Sequence, residues 1–326
     1  MPLDRTPSPP TLISPAMQVC IAEAGRLLRE GSLVAFPTET VYGLGANALD
    51  GRAVARVFAI KGRPVFNPLI VHIAGMRGAE HYAVFNPVAA RLAAAFWPGG
   101  LTLVLPRRPE CGLSHLVSAG MDTVALRAPA HPTAQALISA AEVPIAAPSA
   151  NRSGRVSPTS AEAVAEELDG DVAMILDGGP SAIGLESTIV GFGGGLPMIL
   201  RLGAISRQDI EAVVGPLGQV ELSDILAPGM LASHYAPRAQ LRLNVQDVRP
   251  GEALLAFGPN VPSGALKTCN LSLAGDLCEA AANLFAMMRH LDKSGAATIA
   301  AMPVPERGLG EAINDRLRRA AAPRVL

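Results

Sequence analysis

Lys61, Lys267 and Lys293 are the only lysines in this 326-residue chain, and Lys61 lies in the Pro/Gly-bounded segment Lys61-Gly62-Arg63-Pro64. A residue that precedes proline is pushed to extended backbone, so Lys61 and Arg63, two positions apart, are expected to project the same way. Two converging cations suit a polyphosphate, although a solvated charged loop would have the same composition. In Thr123–Arg127, strand alternation sets Thr123, Ala125 and Arg127 on one face and Val124 and Leu126 on the other. An arginine at the end of a core strand meets a phosphate or a carboxylate, because its planar fork pairs with either. The partner here is a ligand or a protein carboxylate, Asp122 or Glu39.

Pro148-Ser149-Ala150-Asn151-Arg152-Ser153-Gly154 opens a strand end into short hydrogen-bonding side chains. A helix start follows beside Ser157, with Thr159 and Glu162 at capping-box spacing. Helix N-termini and Ser/Asn turns attract anions, and ordinary turns use the same residues. Gly184-Leu185-Glu186-Ser187-Thr188 and Arg201, at the end of its strand, are of the same kind. No G-x-x-x-x-G-K-[ST] loop occurs. Gly43-Leu44-Gly45-Ala46-Asn47-Ala48 imitates a dinucleotide loop, but Pro37 to Tyr42 separate it from the preceding strand and no acidic residue follows about twenty positions on. The six histidines lack metal-ligand spacing, and His72, inside an apolar run, reads on its own as a core or edge histidine.

These residues need elements to hold them. Helical spacing runs over Val19–Arg29, Gly51–Ile60, Pro87–Phe96, Pro132–Ala141 and Ser160–Leu168. Short apolar runs bounded by turn residues predict strands at Leu33–Phe36, Leu69–Ile73, Leu101–Leu105, Thr123–Arg127, Pro144–Ala147, Val172–Leu176, Ser187–Val190 and Met198–Leu202. Interleaved in irregular order, they predict an α/β fold with a mixed sheet. Periodicity vanishes from about Gly215 to Ala239. Beyond it, Ala253–Phe257, Ala274–Leu291, Ala296–Ala301 and Gly310–Ala321 predict a small β-α-β-α unit. The expected organisation is a disordered tail over 1–14, a large first domain over 15–216, a linker over 217–240 and a small domain over 241–326.

A formal net charge of −1, with charged residues at 17%, provides no global field for a polyanion. A small-molecule site is therefore favoured over stable nucleic-acid binding. Four scattered cysteines fit reduced thiols, and no secretory leader or membrane-length apolar run is present, so a cytoplasmic location and no membrane association are expected.

Taken together, Ala35-Phe36-Pro37-Thr38-Glu39-Thr40-Val41-Tyr42-Gly43-Leu44-Gly45, the K-x-R at Lys61 and Arg63, Asn67-Pro68-Leu69-Ile70-Val71-His72, the S-x-N at Ser149 and Asn151, and Glu186-Ser187-Thr188 resemble the threonylcarbamoyl-AMP synthase family and its YrdC-type domain. Ala227-Pro228-Gly229-Met230 with His234-Tyr235-Ala236-Pro237, and Glu306-Arg307-Gly308-Leu309-Gly310, resemble the long two-domain form. Leu231-Ala232-Ser233 departs from the more basic segment expected before His-Tyr. The resemblance implies a twisted mixed-sheet YrdC-like catalytic domain with a basic cavity, followed by a smaller Rossmann-like domain.

The activity it implies is condensation of L-threonine, bicarbonate or CO2, and ATP to threonylcarbamoyl-AMP and pyrophosphate. The product would pass to the transferase complex that modifies adenosine in tRNA. Thr38, His72, Arg127, Ala147 and Ser187 match threonine-binding positions. Lys61, Arg63, Thr123, Ser149, Asn151, Ser157, Arg201, His234 and Tyr235 match ATP-binding positions, Lys61 and Arg63 being also the catalytic cations and His234-Tyr235 belonging to the segment that closes on ATP. Mg2+ is expected to be carried by the ATP phosphates. Two other readings are a double-stranded RNA-binding module, against which the near-zero charge weighs, and a hydrogenase-maturation carbamoyl-adenylating domain, whose additional modules are missing here.

Overall fold

The structure, a computed structural model, describes residues 11–193, 196–218 and 234–323. The first sheet is built from β1 (Leu12–Pro15), β2 (Val34–Phe36), β3 (Gly43–Asn47), β4 (Ile70–His72), β5 (Leu101–Pro106), β6 (Thr123–Arg127), β7 (Ile145–Ala146), β8 (Met174–Asp177), β9 (Thr188–Gly193) and β10 (Leu196–Arg201). Its order is β1-β8-β2-β3-β7-β4-β6-β5-β9-β10, with parallel and antiparallel neighbours mixed. Helices α1 (Gln18–Arg29), α2 (Gly51–Lys61), α3 (Met76–Tyr82), α4 (Pro87–Phe96), α5 (Pro132–Ala141), α6 (Ala161–Leu168) and α7 (Arg207–Val214) accompany it. Alternation sorts each strand's side chains: Val34 and Phe36 pack with α1 and α5, while Leu33 and Ala35 enter the main core with Val54, Leu92 and Val164.

Several expectations are corrected. Residues 12–14, assigned to a disordered tail, belong to β1, which pairs in parallel with β8. The dinucleotide-loop imitation is β3 itself, and Gly45 is small for a packing reason: a Cβ there would lie 3.0 Å from both the Ile145 and Phe36 side chains. The cap of α6 is Ser160, whose hydroxyl accepts from the Ala163 N–H, rather than Thr159. Helix α2 runs through Lys61 and is closed by Gly62 at φ 60, with the Gly62 N–H donating to Ala59 O. Lys61 is therefore helical, and the extended geometry that paired it with Arg63 does not form.

The second sheet joins β11 (Gln240–Arg242), β12 (Ala253–Ala256), β13 (Thr268–Asn270) and β14 (Thr298–Ala301) in the all-parallel order β11-β14-β12-β13, with α8 (Leu277–Asp292) and α9 (Leu309–Ala321). The expected β-α-β-α unit thus gains β11, which begins inside the stretch read as linker, and the short edge strand β13. Its core of Leu255, Phe285, Ile299, Ile313 and Leu317 continues into Val41, Val156 and Leu185 from loops of the large sheet. The two sheets share one apolar seam. Among the described residues no helix is long and apolar enough to cross a membrane.

Candidate active site: a cleft of buried arginines

Strand register positions the first pair of functional side chains. His72, the last residue of β4, is the partner of Arg127 in parallel β6 and of Ile145 in antiparallel β7. Both side chains line a cleft at the strand ends, and both are buried. Arg127 donates through Nε to Gly99 O at 3.1 Å and through Nη2 to Glu39 Oε1 at 2.6 Å. Of the partners left open in the sequence, Glu39 is the one engaged, and its other oxygen accepts from the Ala130 and His131 N–H groups. Burial alone would raise the Glu39 carboxyl, but the Arg127 guanidinium and backbone amides, Ala130's among them, outweigh it and hold it below the usual carboxylate range. For His72, burial and then the Arg127 charge depress the imidazole to about 3. It is neutral near pH 7, set edge-on to Phe36 at 5.9 Å.

The opposite wall comes from β9, β10 and the turn before β9. Arg201 donates to Ser187 O at 3.1 Å from Nε and at 2.8 Å from Nη2, and also to Ser187 Oγ at 3.0 Å. The Ser187 hydroxyl in turn lies 2.7 Å from that of Thr102 in β5. Glu186 accepts from Ser157 Oγ at 2.6 Å and from Arg316 Nε at 2.9 Å. Its burial is outweighed by Arg316 and Arg201, so its carboxyl too stays below the ordinary value. A third guanidinium, Arg63, is fixed by the Asn67 carbonyl at 3.0 Å, and by Asn67 Oδ1 and Pro68 O at 2.7 Å. Burial and the nearby Arg201 pull it down to about 9, which leaves it charged at neutral pH.

Thr38, Arg63, His72, Arg127, Ala147, Ser149, Ser187, Arg201, His234 and Tyr235, all singled out in the sequence, line this cleft together. Lys61, Thr123, Asn151 and Ser157 do not. Lys61 Nζ donates to the carbonyls of Ser149 and Asn151, so the lysine braces the S-x-N turn from behind, and burial followed by the Arg63 charge drives its pKa well down. Asn151 donates to the Arg152 and Arg155 carbonyls, and Ser157 serves Glu186. Thr123 starts β6, opposite Pro106 and at the far end of the strand from Arg127.

Thr38 Oγ1 donates to Val41 O at 2.7 Å and accepts from the Thr40 and Val41 N–H groups, which tightens the turn between β2 and β3. His234 faces the cleft with Nδ1 buried and unpartnered, and burial, its main cause, lowers its pKa to about 3. Tyr235 also belongs to the seam around Phe285, with ring centroids 5.6 Å apart, so it is a core residue as well as a cleft wall. The segment Ala227-Pro228-Gly229-Met230, read as part of the lid, lies outside the described residues. Arg316 was not singled out in the sequence: it sits on an amphipathic helix and meets Glu186 only across 130 positions of chain.

Among the described residues, Arg63, Arg127 and Arg201 face one cleft against one lining carboxylate, Glu186. Fixed guanidiniums in a water-poor cleft stabilise anions without reorganising, which is what a reaction between negatively charged partners requires. Among the described residues no group of three or more His, Cys, Asp or Glu is placed to hold a metal ion. Fold and cleft together define a YrdC-type α/β protein with a second, parallel-sheet domain.

Comparisons with known proteins agree. Residues 26–203 match the Sua5/YciO/YrdC family, described as "Telomere recombination", and residues 205–322 match "Threonylcarbamoyl-AMP synthase, C-terminal domain". The Bacillus subtilis threonylcarbamoyl-AMP synthase is 44% identical over 94% of each chain, and the Pyrococcus abyssi one is 43% identical over 93% of this chain and 94% of its own. The solved structure of Pyrococcus abyssi Sua5 complexed with L-threonine superimposes with a TM-score of 0.87 at 41% identity, covering 95% of this chain and 98% of that one. This chain belongs to the threonylcarbamoyl-AMP synthase family, in its two-domain form.

Proposed function

We propose that the chain condenses L-threonine, CO2 or bicarbonate, and ATP to L-threonylcarbamoyl-AMP and pyrophosphate, as a nucleotidyltransferase. The observation that carries the reading is the cleft of Arg63, Arg127 and Arg201 around a neutral His72, in a chain similar over nearly its whole length to a protein solved with L-threonine. The threonine amine adds to CO2, forming an N–C bond and losing a proton, to give an N-carboxylate. That carboxylate oxygen forms a bond to the α-phosphorus while the bond to the bridging oxygen breaks and pyrophosphate leaves.

ATP, the N-carboxylate and the pyrophosphate that leaves are all anions, so the protein's share is positioning and charge stabilisation. Orientation alone can supply roughly 7–11 kcal/mol. Arg127 is assigned the threonine carboxylate, with Thr38, His72, Ala147 and Ser187 around it. Arg63 and Arg201 are assigned the phosphates, with Ser149, His234 and Tyr235 at the nucleotide. Lys61 supports from behind the Ser149–Asn151 turn. Among the described residues, the carboxylates near the cleft, Glu39 and Glu186, are already engaged by arginines, so Mg2+ is assigned to the ATP phosphates and not to a protein cage. The labile product is proposed to go to the cytoplasmic transferase complex that modifies tRNA.

Incubating the protein with ATP, Mg2+, bicarbonate and each amino acid in turn tests the reading. Threonine-dependent pyrophosphate and an acyl-adenylate are expected; ADP with inorganic phosphate would overturn it.

A further inference from the structure

We propose that Arg316, on the C-terminal helix α9, is a positioning residue for the cleft: it fixes Glu186, and through it the Glu186-Ser187 wall, from the far side of the domain seam. This role rests on the reaction proposed above and names a residue of the second domain as part of its machinery.

Arg316 is fully buried. Its fork is spent in three directions: Nε on Glu186 at 2.9 Å, Nη2 on the Leu202 carbonyl at 2.8 Å, and Nη1 on Asp315 at 2.6 Å. Its guanidinium also lies 5.0 Å from the centre of the Tyr235 ring. Glu186 spans the wall. One oxygen takes Arg316 and the other takes Ser157, while the next residue, Ser187, is gripped by Arg201 from within the cleft. The backbone here is closely packed. A Cβ on Gly203 would overlap the Glu186 carbonyl, and a Cβ on Gly184, at φ +72, would meet the Ala281 and Ala282 backbone of α8. With the turn clamped between α8 and the cleft, the remaining variable is where the Glu186 carboxylate points, and Arg316 sets it.

Stability alone does not call for this arrangement. A buried ion pair is often replaceable by apolar residues of similar volume at no loss, whereas removing one partner is strongly destabilising. Nor would any cation suffice, because lysine cannot hold a carboxylate, a carbonyl and a ring face at fixed angles as a planar fork does. The charged and titratable groups facing Glu186 are Arg316 of α9, Arg201 of β10, and His234 and Tyr235. With Arg316 gone, Arg201 is the cation left to compensate Glu186, and it is drawn off Ser187.

The test uses the full chain and the variants Arg316→Lys, Arg316→Gln and the double variant Arg316→Gln with Glu186→Gln. Thermal unfolding, the KM for ATP and the pH profile of threonine-dependent pyrophosphate release are measured for each. Arg316→Gln is expected to lower kcat/KM for ATP at least about tenfold and to move the acid limb of the profile to higher pH, since Glu186 then protonates more readily. Arg316→Lys should recover the melting temperature but not the KM. The double variant removes the unpaired charge, so it should melt close to wild type and still turn over poorly, which covers the case in which the single glutamine variant does not fold. Lysine restoring KM as well as stability, or folded variants with unaltered KM and pH profile, would overturn the positioning role alone. A wild-type protein without threonine-dependent pyrophosphate release would instead overturn the reaction, and this role with it.

Discussion

At the scale of single residues, the cleft holds two of its arginines at strand ends, Arg127 closing β6 and Arg201 closing β10. Read singly, Arg201 and the Glu186-Ser187 turn carry only the signal of an ordinary strand end or turn; the structure brings them with Arg127 to one cleft. Lys61 was misdirected because its orientation depends on one extra helical residue before Gly62. Arg127→Ala is expected to raise the KM for threonine ten- to a hundredfold, above any effect on ATP, since charge-assisted contacts contribute about 1.5–3 kcal/mol. Steady-state kinetics with each substrate varied would check it. Because the variant also strands Glu39, the same measurement on Arg127→Ala with Glu39→Gln separates lost ligand binding from an unpaired carboxylate: equal damage to both substrates in the double variant would make Arg127 structural.

The two cleft histidines make a second residue-scale prediction. His72 and His234 have folded values of about 3 against an ordinary 6.5, depressed chiefly by burial. Below pH 6.5 the unfolded chain therefore takes up protons that the folded one refuses. Stability is full above that pH and falls as pH drops toward 3, by at most about 1.4 kcal/mol per pH unit for each imidazole. Urea titrations across that window should show a shallower decline for His72→Asn with His234→Asn. An identical decline would mean that neither imidazole is held neutral.

At the scale of elements, seven helices follow from their period and most strands from short apolar runs between turn residues, while α3, α7 and four strands do not, and several of these misses have physical causes. β3 is buried along its length and glycine-rich, so it shows neither alternation nor β-branched residues. β11 and β13 are three residues each, too short for any period. The helix-start pattern Thr159…Glu162 competed with Ser160 one residue on, and the backbone chose the residue whose hydroxyl reaches the third N–H of the helix. Ser160→Ala should cost about 1 kcal/mol of stability and Thr159→Ala distinctly less, by chemical denaturation. The reverse order would restore Thr159 as the cap. Gly62→Ala meets no neighbouring atom, so its effect is backbone strain of about 1 kcal/mol at a positive φ. It should disturb the KM for ATP through Arg63 more than it disturbs folding.

At the scale of the whole molecule, length and the aperiodic stretch near residue 215 foretold a second unit, but not that it would share a core with the first. Shared cores are invisible to local pattern because their members, Val41, Val156 and Leu185 on one side and Phe285, Ile313 and Leu317 on the other, lie in separate segments of ordinary apolar character. The seam decides what happens when the chain is cut after Gly218. Among the described residues, the main cluster around Leu33, Val54, Leu92 and Val190 draws none from the second domain, so the large sheet should remain folded. It would lose Arg316 from Glu186, expose Leu185 to water, and lose His234 and Tyr235 from the cleft wall. An easily hydrolysed adenylate would then form in a wetter site. The expected outcome is a folded domain that melts earlier than the full chain, binds ATP more weakly and releases AMP without delivering product. Calorimetry with ATP and the ratio of AMP to threonylcarbamoyl-AMP would measure it. A truncated domain that matches the full chain in ATP affinity and in that ratio would show that the second domain serves partners and leaves the cleft to the first.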